Sequence, residues 1–290
     1  MSEYVIMTDS SCDLPAKLAE EMELTVLPLY VDVDGQKYTN YLDEREISFA
    51  EIYAKLRTKC PAKTSAVNVN DFMEPMENLL KAGKDVLYIG FSSGLSGTYS
   101  AGAMAARELS EKYPERKILT CDSLCASLGQ GLLIYLAWQE KRKGKTIEEV
   151  RDFVEDHKLH LCHWFTIDDL MFLKRGGRVS GATAIVGSML SIKPVMHVDN
   201  EGHLIKVSTA RGRKASIKAL ADRAEELGMD LQSQTIFISH GDCVEDANYL
   251  ADIMRSRFNV KDVVINHVGP VIGAHSGPGT IALFFLGKER

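Results

Sequence analysis

Apolar and polar positions follow two alternating rhythms along this chain of 290 residues. Short, nearly continuous apolar runs at 4–8, 24–33, 86–91, 117–121, 161–166, 194–198, 235–239 and 263–268 predict strands. Runs of this length, bounded by polar or glycine-rich stretches, suit a buried pleated ribbon better than a helix. Between most of them the apolar residues fall three or four apart, the spacing of an amphipathic helix. Ser48-x-x-Glu51 and Thr146-x-x-Glu149 precede two of these stretches. Both are capping boxes, in which hydroxyl and carboxylate each satisfy a free amide of the first turn. Asp34-Gly35 predicts a hairpin extending the second strand, and Asn200-Glu201-Gly202 predicts another ahead of 203–209. Regular alternation of strand and helix predicts an α/β fold: two α/β domains with mainly parallel or mixed sheets and a ligand site in the cleft between them. The domains are drawn as 1–170 and 171–290, with the loop-rich stretch 174–181 as their seam.

Open α/β folds bind ligands beyond the carboxyl ends of their strands or between domains. Small, hydroxyl-rich segments stand at several such ends: Thr8-Asp9-Ser10-Ser11, 92–98, Asp122-Ser123, His240-Gly241-Asp242 and 273–280, with Thr64-Ser65 in a polar connection after Pro61. The stretch 86–100 is the most informative, because an apolar run passes through serines and glycines directly into the helical pattern 101–109. Such a loop gathers amides and hydroxyls at a helix N-terminus, which suits an anion. It also contains Gly90-Phe91-Ser92-Ser93-Gly94, a G-x-S-x-G after a strand. Ser92, Asp242 and His275 even occur in the Ser…Asp…His order of serine hydrolases and esterases. A nucleophile elbow starts its helix at the serine, however, and Gly94-Leu95-Ser96-Gly97 delays the helix here. The alternative is a carboxylate held by neutral donors from Thr64, Ser96 and His275, with an apolar remainder in the cleft.

Composition narrows the choice. Lys and Arg total 34 against 40 Asp and Glu, a net charge of −6 without charged blocks, which argues against a nucleic-acid partner. No stretch approaches the ~20 apolar residues of a membrane span, and the start carries no basic leader, so a cytoplasmic protein without an integral membrane segment is expected. The six cysteines include no CxxC, so free thiols in a reducing compartment are expected. His157, His160, Cys162 and His163 lack a second cluster to complete a metal site, and no metal is expected. A phosphate-loop sequence is absent, and Asp9 reads as an N-cap or loop brace rather than a nucleophile. Lys174-Arg175-Gly176-Gly177-Arg178 is a basic turn at the seam, where Arg178 can meet a phosphate or a partner protein.

Taken in order, Thr8-Asp9-Ser10-Ser11, Thr64-Ser65, 92–98, Asp122-Ser123, 173–178, Lys193-Pro194, His240-Gly241-Asp242 and 275–280 resemble the DegV family across almost the whole chain. These are bacterial fatty-acid-binding proteins that serve as binding subunits of a fatty-acid kinase. The resemblance implies a long-chain fatty acid between two α/β domains. Its carboxylate would lie near Thr64, Ser96 and His275, with Ser65, Gly97 and Thr98 in the same loops. It implies no cofactor and no catalytic residue in this chain. A separate ATP-dependent kinase would phosphorylate the bound acid, facing Arg178, and the acyl phosphate would enter phospholipid synthesis. One departure is Val67, where the family often has a proline two residues after the Thr-Ser pair.

Overall fold

The computed structural model describes residues 3–179 and 191–290. The chain runs through β1 (Tyr4–Asp9), α1 (Ala16–Glu21), β2 (Thr25–Leu27), β3 (Tyr30–Val33), β4 (Gln36–Thr39), α2 (Phe49–Arg57), β5 (Ala62–Ser65), α3 (Val69–Lys81) and β6 (Asp85–Gly90). It continues through α4 (Thr98–Lys112), β7 (Ile118–Asp122), α5 (Leu128–Arg142), α6 (Ile147–His157), β8 (Leu161–Thr166), α7 (Leu170–Gly176) and β9 (Ile192–Val198). The remainder is β10 (Leu204–Arg211), α8 (Arg213–Leu227), β11 (Thr235–His240), α9 (Val244–Phe258), β12 (Asp262–His267), α10 (Pro270–Ser276) and β13 (Ile281–Leu286).

Three sheets result. The first has the order β2-β1-β6-β7 and is parallel throughout. The second has the order β10-β9-β8-β13-β11-β12, in which only β11 and β12 run parallel. The third, β4-β3-β5, is small and antiparallel. The α/β class expected from the alternation is therefore present, with one parallel and one mixed large sheet.

Three differences from the sequence-based expectation have local causes. The run 24–33 is not one strand: it breaks after Leu27, and Pro28 stands in the gap. Proline has no amide to give a ladder, and the chain passes there from the parallel sheet to the small one. Thr64-Ser65, expected as a polar connection, forms edge strand β5 against β3. The seam 174–181 is helical at its start, since α7 continues to Gly176; residues 180–181 lie outside the described residues. In addition, β8, assigned by the 170/171 boundary to the first half, is hydrogen-bonded between β9 and β13.

The turn and cap signals hold. Asp34 and Gly35 both take positive φ (57° and 79°) between β3 and β4, as a two-residue hairpin turn demands. Both capping boxes form, and Asn68 with Asp71 makes a third at the start of α3. The second sheet separates two environments. Cys162, Trp164, Ile281, Leu283 and Phe285 pack with α8 and α9. Phe165, Ala282, Phe284 and Phe237, alternating with them, face α5 and the first sheet. That inner face is where the cavity lies.

Candidate functional site

A cavity of about 950 Å³, its open mouth included, lies where the three sheets converge. The second sheet supplies Phe165, Ala282, Phe284, His163 and Ser239. Leu29, Phe91, Leu95 and Ala126 come from the loops of the first sheet, and Leu173, Val268, Val271 and Ile272 close other sides. The wall is mostly hydrocarbon, so it favours an apolar occupant, and its polar groups decide how that occupant is oriented.

One group of polar side chains gathers where α10 meets β5. Gly269 and Pro270 start α10 with an extended N-cap and a proline in its first turn. The helix then places His275 against the small sheet: Thr64 Oγ1 and His275 Nε2 are 2.8 Å apart. Burial, followed by the nearby Arg178 charge, pushes the His275 imidazole down to about 4. At neutral pH it is uncharged and can donate one proton. Among the described residues His275 Nδ1 and the buried Ser276 Oγ have no hydrogen-bond partner. The His275 ring fits because residue 176 is glycine: a Cβ there would stand 2.1 Å from Nδ1. Gly176→Ala is therefore expected to displace the imidazole and weaken whatever ligand it contacts by about ten-fold, a lost hydrogen bond to a charged group being worth about 1.5–3 kcal/mol. Ligand titration alongside a thermal melt separates this from loss of fold.

The loop after β6 approaches from the other side. Ser96 Oγ accepts the Thr98 amide at 3.2 Å and lies 2.9 Å from Thr98 Oγ1, so it caps α4 one residue ahead of the side-chain-free Gly97. Thr64, Ser65, Ser96, Gly97 and His275 all line the one cavity. Thr98 is fully buried behind Ser96 and is not part of the wall. Arg178 also lines the cavity; its Nε donates to Leu95 O at 3.3 Å and Nη1 to Gly176 O at 2.6 Å. It thereby links α7 to the loop after β6.

The hydrolase constellation does not assemble. Ser92 is buried, and its Oγ donates to Gly202 O at 2.9 Å. Asp242 is paired with Arg57, and His275 with Thr64. The dispersed histidines make no metal site either: His157 Nδ1 bonds Phe153 O, His160 Nδ1 bonds Lys288 O, and Cys162 and His163 point to opposite faces of β8. Among the described residues no group of three or more His, Cys, Asp or Glu could hold a metal, and no described helix is long and apolar enough to cross a membrane. All six cysteines are free. Asp9 caps the turn at 10–12 through the Ser11 amide and accepts the Phe91 amide at 3.0 Å, which fixes the start of the loop after β6.

A second polar group was missed in the sequence. Ser127, the N-cap of α5, sits at φ 54° and ψ −146°, a region that side-chain-bearing residues rarely enter. Its Oγ bonds Asp13 Oδ2 at 2.5 Å and Ser239 Oγ at 3.0 Å, tying α5 to β11 and to the loop after β1. Ser127 and Ser239 line the cavity, while Asp13 stands behind them. An unremarkable serine before Leu128 carries no signal of this strain in its spacing.

Fold and site together define an α/β protein built around an apolar cavity whose polar end carries hydroxyls and an uncharged imidazole, with Arg178 in the same wall. The chain belongs to the DegV family: the family model described as "Uncharacterised protein, DegV family" matches residues 3–288. A DegV domain-containing protein of Clostridium perfringens is 45% identical over 290 residues, covering 100% of this chain and 99% of that protein. A Thermus thermophilus DegV family protein, described for its fatty-acid binding, superposes with a TM-score of 0.86 at 31% identity, covering 99% of this chain and 100% of that one. DegV of Bacillus subtilis, described as a fatty acid binding protein, gives 0.85 at 26% identity, with coverage of 99% and 100%.

Proposed function

We propose that this chain binds a long-chain fatty acid in the cavity and presents its carboxylate to a separate ATP-dependent kinase. The observation that carries the first part is the apolar cavity with the Thr64–His275 pair and Ser96 at one polar end. Burying ~15 methylenes at about 0.8 kcal/mol each gives roughly 12 kcal/mol before ordering costs, so the tail supplies affinity. The head group then needs only to be selected and oriented. Thr64, Ser65, Ser96, Gly97 and His275 form that carboxylate site, with Thr98 holding Ser96 in place. Neutral donors suit the role, because a full ion pair would hold the carboxylate oxygen away from later attack on a phosphoryl group. Solved relatives described as fatty-acid binding support the ligand class.

The acyl-phosphate step rests on the family resemblance and on Arg178, which lies at the cavity wall beside the head group. The acyl phosphate would feed phospholipid synthesis in a bacterial cytoplasm. Organic extraction of the purified protein followed by mass spectrometry is expected to yield a stoichiometric fatty acid. Ser96→Ala and His275→Ala should each weaken fatty-acid binding by about ten-fold or more, the worth of a hydrogen bond to a charge, while leaving the melt cooperative. Arg178→Ala should retain fatty-acid binding and lose phosphorylation by a cognate kinase with ATP. Wild-type affinity in both head-group variants would place the carboxylate elsewhere.

A further inference from the structure

Ser92 stands at the centre of the G-x-S-x-G stretch, yet it does not line the cavity. Its side chain is buried and its hydroxyl is used in both directions. Oγ donates to Gly202 O at 2.9 Å and accepts the Gly94 amide at 3.2 Å. The main chain is equally engaged. Ser92 N donates to Cys125 O at 3.0 Å, and Ser92 O accepts the Leu95 and Ser96 amides, each at 3.1 Å. The turn that carries Ser96 toward the cavity therefore closes on this residue.

Gly202 belongs to the tip of the β9–β10 hairpin, so the Ser92 contact joins the first large sheet to the second. Glycines on both sides allow the approach. A Cβ on Gly202, where φ is +80°, would stand 2.1 Å from Ser92 Oγ, and one on Gly94 would stand 2.7 Å from Glu201 O. The hairpin tip is braced well enough to serve as an anchor. Asp199 Oδ1 accepts the Glu201 amide at 3.1 Å and the His203 amide at 2.8 Å, and Asp199 N donates to His203 O at 2.9 Å. Arg290 Nη1 donates to Asp199 O at 3.1 Å and to Leu124 O at 2.7 Å, which ties the tip to the loop after β7.

Ser96 Oγ accepts the Thr98 amide, so its own proton remains available to donate. A donor helps a carboxylate most when it is already in place, since ordering it on binding costs affinity. We propose that Ser92 is a positioning residue for the carboxylate site: by docking the loop after β6 on the β9–β10 hairpin, it holds the Ser96 hydroxyl ready for the acid. This rests on the head-group reading above. Without the Ser92 hydroxyl the turn loses its tie to the second sheet, and the ligand itself has to order Ser96.

The test compares hexadecanoic acid with hexadecanol, which has the same length of tail but no carboxylate. Both are titrated, with a thermal melt of each protein, against the wild type, Ser92→Ala, Ser96→Ala, the double variant and Gly94→Ala. Gly94→Ala keeps the Ser92 hydroxyl but sets a methyl against Glu201 O, lifting the loop from the hairpin. The wild type should prefer the acid, and Ser96→Ala should reduce that preference by about ten-fold, the worth of a hydrogen bond to a charge. Ser92→Ala and Gly94→Ala should each reduce it by about three-fold or more, part of the worth of that bond, while hexadecanol affinity stays close to that of the wild type. In the double variant the preference should fall no further than in Ser96→Ala alone, because Ser92 acts through Ser96. The proposal is overturned if Ser92→Ala and Gly94→Ala keep the wild-type preference, if they weaken acid and alcohol alike, or if the Ser92 and Ser96 effects multiply. Should Ser92→Ala fail to fold, Gly94→Ala decides by the same ratio. If Ser96→Ala itself leaves the preference unchanged, the carboxylate reading fails and the positioning role with it. If neither ligand binds the wild type, the fatty-acid reading itself fails.

Discussion

Ala282→Phe is expected to yield a folded protein that no longer takes up a long-chain fatty acid. Ala282 stands in β13 between Phe165 of β8 and Ser239 of β11, and all three side chains line the cavity. A ring at this position would fill the middle of the floor, where the methylenes of the proposed acyl chain would lie. Excluding five methylenes at about 0.8 kcal/mol each removes roughly 4 kcal/mol, about a thousand-fold in affinity. Phenylalanine favours strands, and the side chain grows into existing space, so the overpacking penalty seen in filled cores is reduced. Circular dichroism should be unchanged while displacement of a fluorescent fatty acid disappears. Wild-type uptake by a folded Ala282→Phe protein would show that the acyl chain lies elsewhere.

Asp13→Asn is expected to abolish a pH dependence of stability that the wild type shows between about pH 4 and pH 7. Burial pushes the Asp13 carboxyl from 3.8 up to about 7; the Ser127 hydroxyl and the Gly269 amide oppose this only in part. Among the described residues Asp13 Oδ1 makes no hydrogen bond of good geometry, so the charged form is poorly served. In the unfolded chain the carboxyl loses its proton near pH 4, whereas the folded protein retains it until about pH 7. The folded state binds more protons across this interval, so the stability Asp13 contributes is full below about pH 4 and lost as pH rises to about 7. Three pH units correspond to a loss on the order of 4 kcal/mol. Asparagine keeps the shape and a hydrogen bond to Ser127 without the titration. Urea midpoints at pH 5 and pH 8 should therefore differ more in the wild type than in the variant. Equal differences would mean that Asp13 titrates normally.

The elements that obey local rules were legible in the sequence. Ser48, Thr146 and the Asp34-Gly35 turn each act through residues within four positions, and all three form as expected. The carboxylate candidates were legible as hydroxyl-rich loops after strands, and five of the six line one cavity. Thr98 differs because a side chain facing back into α4 has the same sequence signature as one facing the cleft. What could not be read depends on pairing between distant segments. The antiparallel order of the second sheet places β13 between β8 and β11, and no local period encodes that. The role of Ser92 in the G-x-S-x-G match is beyond local reading for a related reason, since its partner is a backbone carbonyl at Gly202, far along the chain. Cavity and core residues share one apolar alphabet, so Phe165 and Ala282 could not be told from Phe237 by pattern.

The Thr64–His275 contact joins residues 211 positions apart. The polar end of the cavity therefore needs distant parts of the chain together, and it is complete only when α10 has docked on the small sheet. A ligand held there is bound by the finished fold alone, and its binding energy adds directly to the free energy of unfolding as its concentration rises above its dissociation constant. Occupancy and thermal resistance then become one measurable quantity, and lipid-depleted cells would contain this protein in its least durable form.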